Sequence, residues 1–164
     1  MELISYLKAD HKNIRRIIKD LDQAEDREQK LQAFFELDQL VDAHFKAEES
    51  AVYAASLKKN NQALNEMAVR GFEEHNLFDD LAYKIKFTNN FDLWPSQVKV
   101  FCQILDMHLT EEENEFFPVL NQHFNSVELD RAAVLYLKIK KSEQSKILLT
   151  KKRKRDEKIH TPHH

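Results

Sequence analysis

A chain of 164 residues, 42% apolar and 32% charged, has the length and composition of one globular domain with a full core and leaves too little for a second. One glycine and three prolines argue against a strand-rich fold and favour long helices joined by short turns. The net charge of −3 is unevenly spread: Lys138 to Lys158 holds ten Lys/Arg against three acids, leaving a body with 15 bases and 25 acids that can concentrate cations.

The first segment places apolar residues at Ile4, Leu7, Ile14, Ile18 and Leu21, and His11 fills the one inward position between Leu7 and Ile14. A turn is expected near Ala24-Glu-Asp26. The second stripe reads Phe34, Leu37, Val41, His44, Glu48, Ala51 and Ala55, with a histidine and a glutamate in core positions. After a turn at Asn60-Asn61 the third runs Leu64, Ala68, Gly71, His75, Phe78, Ala82 and Ile85. The stretch Thr88 to Pro95 ends that helix and starts a fourth, whose stripe is Val98, Phe101, Leu105, His108, Glu112 and Phe116 or Val119. Pro118 should kink or end the fourth helix, because it lacks an amide hydrogen. Asn125-Ser-Val-Glu128 offers a cap for a short fifth helix through about Lys141. The expected division is therefore 1–141, an up-down-up-down four-helix bundle with an added helix, and 142–164, a basic flexible tail.

Each stripe carries one histidine near its middle, and successive histidines are 33, 31 and 33 residues apart. Helices of similar length that alternate in direction bring their midpoints to one height, so the four imidazoles should converge. A shift of 64 residues carries His11 to His75, His44 to His108, Glu48 to Glu112 and Glu49 to Glu113. A histidine and a glutamate four apart lie on one helix face and can grip the same cation. Desolvating four histidines and two glutamates at one level would be costly without a positive partner, so a dinuclear metal site is the leading expectation. Nitrogen and carboxylate ligands without thiolate point to iron, with zinc and manganese as alternatives.

The motifs Asp10-His11, His44-Phe-Lys-Ala-Glu48-Glu49, Glu74-His75 and His108-Leu-Thr-Glu-Glu112-Glu113, with Phe117-Pro118 following, resemble the hemerythrin-like cation-binding family over about residues 3 to 120. The resemblance implies a left-handed four-helix bundle holding two iron ions, bridged by an oxo or hydroxo group. It implies His11, His44, His75 and His108 as terminal ligands and Glu48 and Glu112 as bridges. Oxygen-carrying members have H-x-x-x-H on the third helix, whereas the residue four after His75 is Asp79, which stands either as a further ligand or as a solvated acid. The family's usual final spacing would select Glu113, while the internal repeat selects Glu112. Gly71 leaves room for a small ligand or for close helix packing, and Asp10 and Glu74 read as solvated acids more readily than as partners of the histidines.

The function implied is binding of, or reaction with, a small diatomic ligand or peroxide (dioxygen, nitric oxide, hydrogen peroxide) as carrier, sensor or stress protein. An enzyme-like di-iron role in oxidation, peroxide removal or iron-sulfur repair is the alternative. A third reading is a helical interaction module with a structural metal and a basic tail that binds a protein partner. Nucleic acid is not expected, because the Lys/Arg run Lys151 to Arg155 has no interleaved aromatics. No apolar run is long enough to span a membrane, and Met1-Glu-Leu-Ile-Ser lacks a basic signal start, so a cytoplasmic monomer or homodimer is expected. Cys102 has no partner for an internal disulfide and reads as a half-buried helix residue.

Overall fold

The computed structural model describes the backbone of residues 2–159 and the side chains of residues 2–149, and all its regular elements are helices. Helix α1 is Glu2–Gln23 and α2 is Arg27–Glu48; α2 runs on through a π-helical turn, Glu49–Tyr53, into the short α3, Ala54–Ser56. Helix α4 is Gln62–Lys86. Helix α5, Trp94–Glu111, continues through a second π-helical turn, Glu112–Phe116, into α6, Phe117–His123. Helix α7 is Ser126–Ile159. Four long helical stretches thus form a closed ring in which α1 packs on α2, α2 on α4, α4 on α5 and α5 on α1, while α7 lies against α1 and α2.

The turns form where the sequence supplies caps. Asp26 accepts a hydrogen bond from the Gln29 amide at 2.8 Å, and Asn61 accepts from Leu64 at 2.9 Å. Pro95 occupies the first turn of α5, where a missing donor costs nothing. Asn125 and Glu128 exchange reciprocal bonds at 3.0 Å, a capping box that starts α7.

Two features depart from the sequence expectation. Pro118 does not end the fourth helix, which passes through it to His123, because the Phe117 amide reaches back to the Glu112 carbonyl in a π-type bond just before the proline. Nor is the fifth helix short: α7 has 34 residues and runs past Lys141, through the basic run, to Ile159. Its first part is held by the core residues Leu129, Ala132, Ala133 and Tyr136. The side chains of the basic run and the terminal segment 160–164 lie outside the described residues.

The stripe of α4 is buried as expected at Leu64, Ala68, Gly71, His75, Phe78, Ala82 and Ile85. On α1 the buried face is wider and turned, with Leu3, Asp10 and Ile17 buried in place of Ile4 and Ile18, because α2 and α7 cover it from two sides. The apolar core divides into two clusters. One gathers Leu3, Leu7, Tyr53, Leu64, Phe117 and Tyr136, the other Ile14, Phe34, Leu37, Phe78, Phe101 and Leu105. Between them lies a polar layer. No helix among the described residues is long and apolar enough to cross a membrane.

Candidate metal centre

His11, His44, His75 and His108 are each at most 4% exposed, and Glu48 and Glu112 at most 5%. They reach the same level because each replaces an apolar residue of an inward stripe. Their potential ligand atoms fall into two groups, His11–His44–Glu112 and Glu48–His75–His108, with the atoms of each group within 4.8 Å of one another. The histidine rings pair in the same way, with centroids 5.1 Å apart in both His11–His44 and His75–His108. Each carboxylate lies between the two pairs. Glu112 Oε2 is 3.4 Å from His11 Nε2 and 3.7 Å from His108 Nε2. Glu48 Oε2 is 3.6 Å from His44 Nε2 and 3.8 Å from His75 Nε2.

The outer nitrogen of every ring is held. His11 Nδ1 is 2.8 Å from Glu113, His75 Nδ1 is 2.8 Å from Glu49, and His108 Nδ1 is 2.7 Å from Glu74. His44 Nδ1 is 2.7 Å from the Tyr136 hydroxyl, which in turn donates to Asp10, and Asp10 is ion-paired with Lys140. Acceptors on Nδ1 fix the tautomer and leave Nε2 as a lone pair aimed inward. Those inward atoms have no partners of their own: Nε2 of His11, His44 and His108, both oxygens of Glu48, and Oε2 of Glu112 are buried without a hydrogen bond. Orphaned buried acceptors converging on one point fit a bound cation and little else. The electrostatics agree. Burial lowers the His44 imidazole to about 4, which keeps it neutral as a ligand must be. Burial and the neighbouring Glu112 push the Glu48 carboxyl well up, a cost that a cation between the two would remove.

Tyr53, carried by the first π-helical turn, closes one side of the layer. Its hydroxyl donates to Glu112 Oε1 at 2.6 Å and lies 3.4 Å from His75 Nε2. Gly71 sits against the ring: a Cβ there would meet Tyr53 Cζ at 2.5 Å. The space left by the only glycine is thus filled by Tyr53, and what remains is a crevice of about 10 Å³ lined by Tyr53, Arg70, Gly71, Glu74 and His108, scarcely room for one water. A larger groove of about 650 Å³ between α1 and α5, bordered by Trp94 and Cys102, contains none of the six inward residues.

Among the expected site residues, His11, His44, Glu48, His75, His108 and Glu112 come together, and Asp79 does not. After His75 the inward stripe of α4 steps to Phe78, which packs on Phe45 and His108. Asp79 is left exposed on the flank and belongs to neither ligand group. The choice between Glu112 and Glu113 falls to the repeat: Glu112 points inward, and Glu113 holds His11 and accepts from Arg15 at 2.7 Å. Asp10 and Glu74 are not solvated bystanders, since both belong to the outer ring and Asp10 is 3% exposed. Tyr53 and Tyr136 had no signal in the stripes. Cys102 is buried rather than half-buried, and burial pushes its thiol up to about 12.

A helical bundle whose waist holds buried imidazoles and carboxylates, each ring anchored from outside and unpartnered inside, defines a cation-binding bundle. The Hemerythrin HHE cation binding domain matches residues 2–120, and the chain belongs to that family. No curated protein and no solved structure matches it.

Proposed function

We propose that this protein holds a dinuclear metal centre, with two iron ions the expected occupants, and that it binds or reacts with a small ligand such as dioxygen, nitric oxide or peroxide. The observation that carries this reading is the set of orphaned inward acceptors, six atoms of five residues, enclosed by a ring of satisfied outer nitrogens. His11 and His44 would be terminal ligands of one ion and His75 and His108 of the other. Glu48 and Glu112, each lying between a histidine of either pair, would bridge them. When bound, such a pair supplies reversible electron transfer and an open coordination position.

The chain's own residues set what that position can do. Glu113, Glu49, Glu74 and Tyr136 orient the imidazoles and raise their basicity. Phe45, stacked on His75 with centroids 3.7 Å apart, and Phe117, stacked on His11 at 5.5 Å, keep water from the metal-facing side. Tyr53 places a hydroxyl beside His75, where it can donate to a small ligand entering through the Gly71 crevice. A crevice of this size admits diatomic molecules and peroxide and excludes larger substrates, which favours a carrier, sensor or stress role over oxidation of an organic substrate.

Elemental analysis of the iron-loaded protein, with absorption spectra of the anaerobically reduced and the air-exposed forms, tests this reading. Two irons per chain and near-ultraviolet bands that develop in air are expected. A single weakly held ion with no spectral change on oxidation would refute the dinuclear reading.

A further inference from the structure

The outer ring follows the 64-residue repeat at three positions and breaks it at the fourth. Glu49–His75 and Glu113–His11 are repeat-mates, and both contacts are 2.8 Å. The same shift pairs Glu74–His108 with Asp10–His44. Glu74 reaches His108 Nδ1 at 2.7 Å, but Asp10, one methylene shorter, stops 3.6 Å from His44 Nδ1. Tyr136 of α7 fills the gap. Because its hydroxyl donates to Asp10, the bond of 2.7 Å to His44 must be donated by the imidazole Nδ1–H. Lys140, one turn further along α7, neutralises the Asp10 carboxylate. Tyr136 is fully buried, Asp10 nearly so, and α7 begins at Ser126, beyond the 2–120 segment that matches the family.

We infer that Tyr136 is a positioning residue for His44, and that through it α7 is coupled to occupancy of the His11–His44–Glu112 group. This rests on the metal reading above. A cation on Nε2 withdraws electron density from the ring and strengthens the Nδ1–H donor, so the bond to Tyr136, and with it the docking of α7, tightens on loading. By linkage, whatever loosens or clamps α7 must change affinity at that half of the centre. The His75–His108 half has no such tie, since its outer partners Glu49 and Glu74 come from the bundle itself.

The test uses the full chain and Zn²⁺, a redox-silent probe. Zn²⁺ is titrated calorimetrically into the wild type, Tyr136→Phe and the double variant Asp10→Glu/Tyr136→Phe, and hydrogen exchange over Ser126–Lys140 is followed with and without the ion. Tyr136→Phe should weaken one of two bound equivalents by about 10- to 100-fold and leave the other unchanged. Glutamate at position 10 has the reach of Glu74, so the double variant should recover most of that loss. Zn²⁺ should slow exchange over Ser126–Lys140 in the wild type and in neither variant. Wild-type affinity in Tyr136→Phe, a loss that Asp10→Glu does not recover, or exchange in wild-type α7 indifferent to bound Zn²⁺ would each overturn the coupling. A wild type that takes up no metal would overturn the metal reading itself, and the coupling with it.

Discussion

Gly71 illustrates how one residue without a side chain can fix the position of one that has a role. The glycine backbone is ordinary helix, with no positive φ, so its reason is space: a methyl group would fall 2.5 Å from Tyr53 Cζ, in ring carbon that cannot yield without moving the π-helical turn. Gly71→Ala should therefore cost about 1–3 kcal/mol by overpacking, despite alanine's better helix propensity. In a Tyr53→Leu background that cost should largely vanish. Urea denaturation of the four proteins of this cycle checks it, and additive costs would mean that the clash with Tyr53 is not what keeps a glycine there. Asp79 makes the opposite case. Exposed beside α2 and absent from both ligand groups, it should be replaceable by alanine with no change in bound metal per chain, measured by elemental analysis, whereas Glu112→Ala should lower the content at both positions. The inward histidines were legible in the sequence because each interrupts an apolar stripe. Their outer partners were not, since Glu49, Glu74 and Glu113 resemble any partly exposed helix acid. One signal was there to be used: the second glutamate of His44-x-x-x-Glu48-Glu49 repeats at Glu113, and a repeated acid on a helix flank needs a partner to explain it.

At the scale of elements, the two π-helical turns follow directly on the two H-x-x-x-E motifs, and each opens with a glutamate of the pair. A π turn inserts one residue's worth of rotation, so successive glutamates can face different ways, Glu48 inward and Glu49 toward His75. Stripe analysis assumes a constant period and cannot see such an insertion, which is why it carried the second stripe through to Ala55 and passed over Tyr53. It also misjudged α7. The apolar face of α7 is narrow, and only its docking on α1 and α2 explains the burial of Tyr136. The cap, by contrast, was legible, because Asn125 and Glu128 stand at the capping-box spacing. Asn125→Ala should destabilise the protein by about 1 kcal/mol through loss of that cap. A chain ending at Leu149 should keep its fold and its metal, because the residues that anchor α7 to the centre, Tyr136 and Lys140, lie before that point. Thermal melts and metal content of the two variants test these statements; a shortened chain that lost its metal would place a further contact with the centre in the last turns of α7.

The whole molecule is two apolar clusters separated by a charged waist, and that division sets its energetics. A buried layer of neutral histidines and paired carboxylates is stable only with a compensating charge, because desolvation of Glu48 and Glu112 outweighs their contacts with neutral rings. The metal-free fold therefore carries strain at its centre that a bound cation relieves. At a free concentration 100 times its dissociation constant, an ion at one site adds about 2.7 kcal/mol to stability. For a domain of this size about 1 kcal/mol shifts the midpoint by about 2–4 °C, so Zn²⁺ should raise it by at least about 5 °C, and chelation should reverse the gain. Glu48→Gln/Glu112→Gln separates the burial cost from ligation. With the buried charges gone, the metal-free variant should melt above the metal-free wild type, yet gain little from Zn²⁺. Scanning calorimetry of both proteins with Zn²⁺ and with chelator decides it. If the variant gains as much as the wild type, the carboxylates do not hold the ions; if its metal-free form melts lower, the waist is held together by its own contacts, without need of a cation.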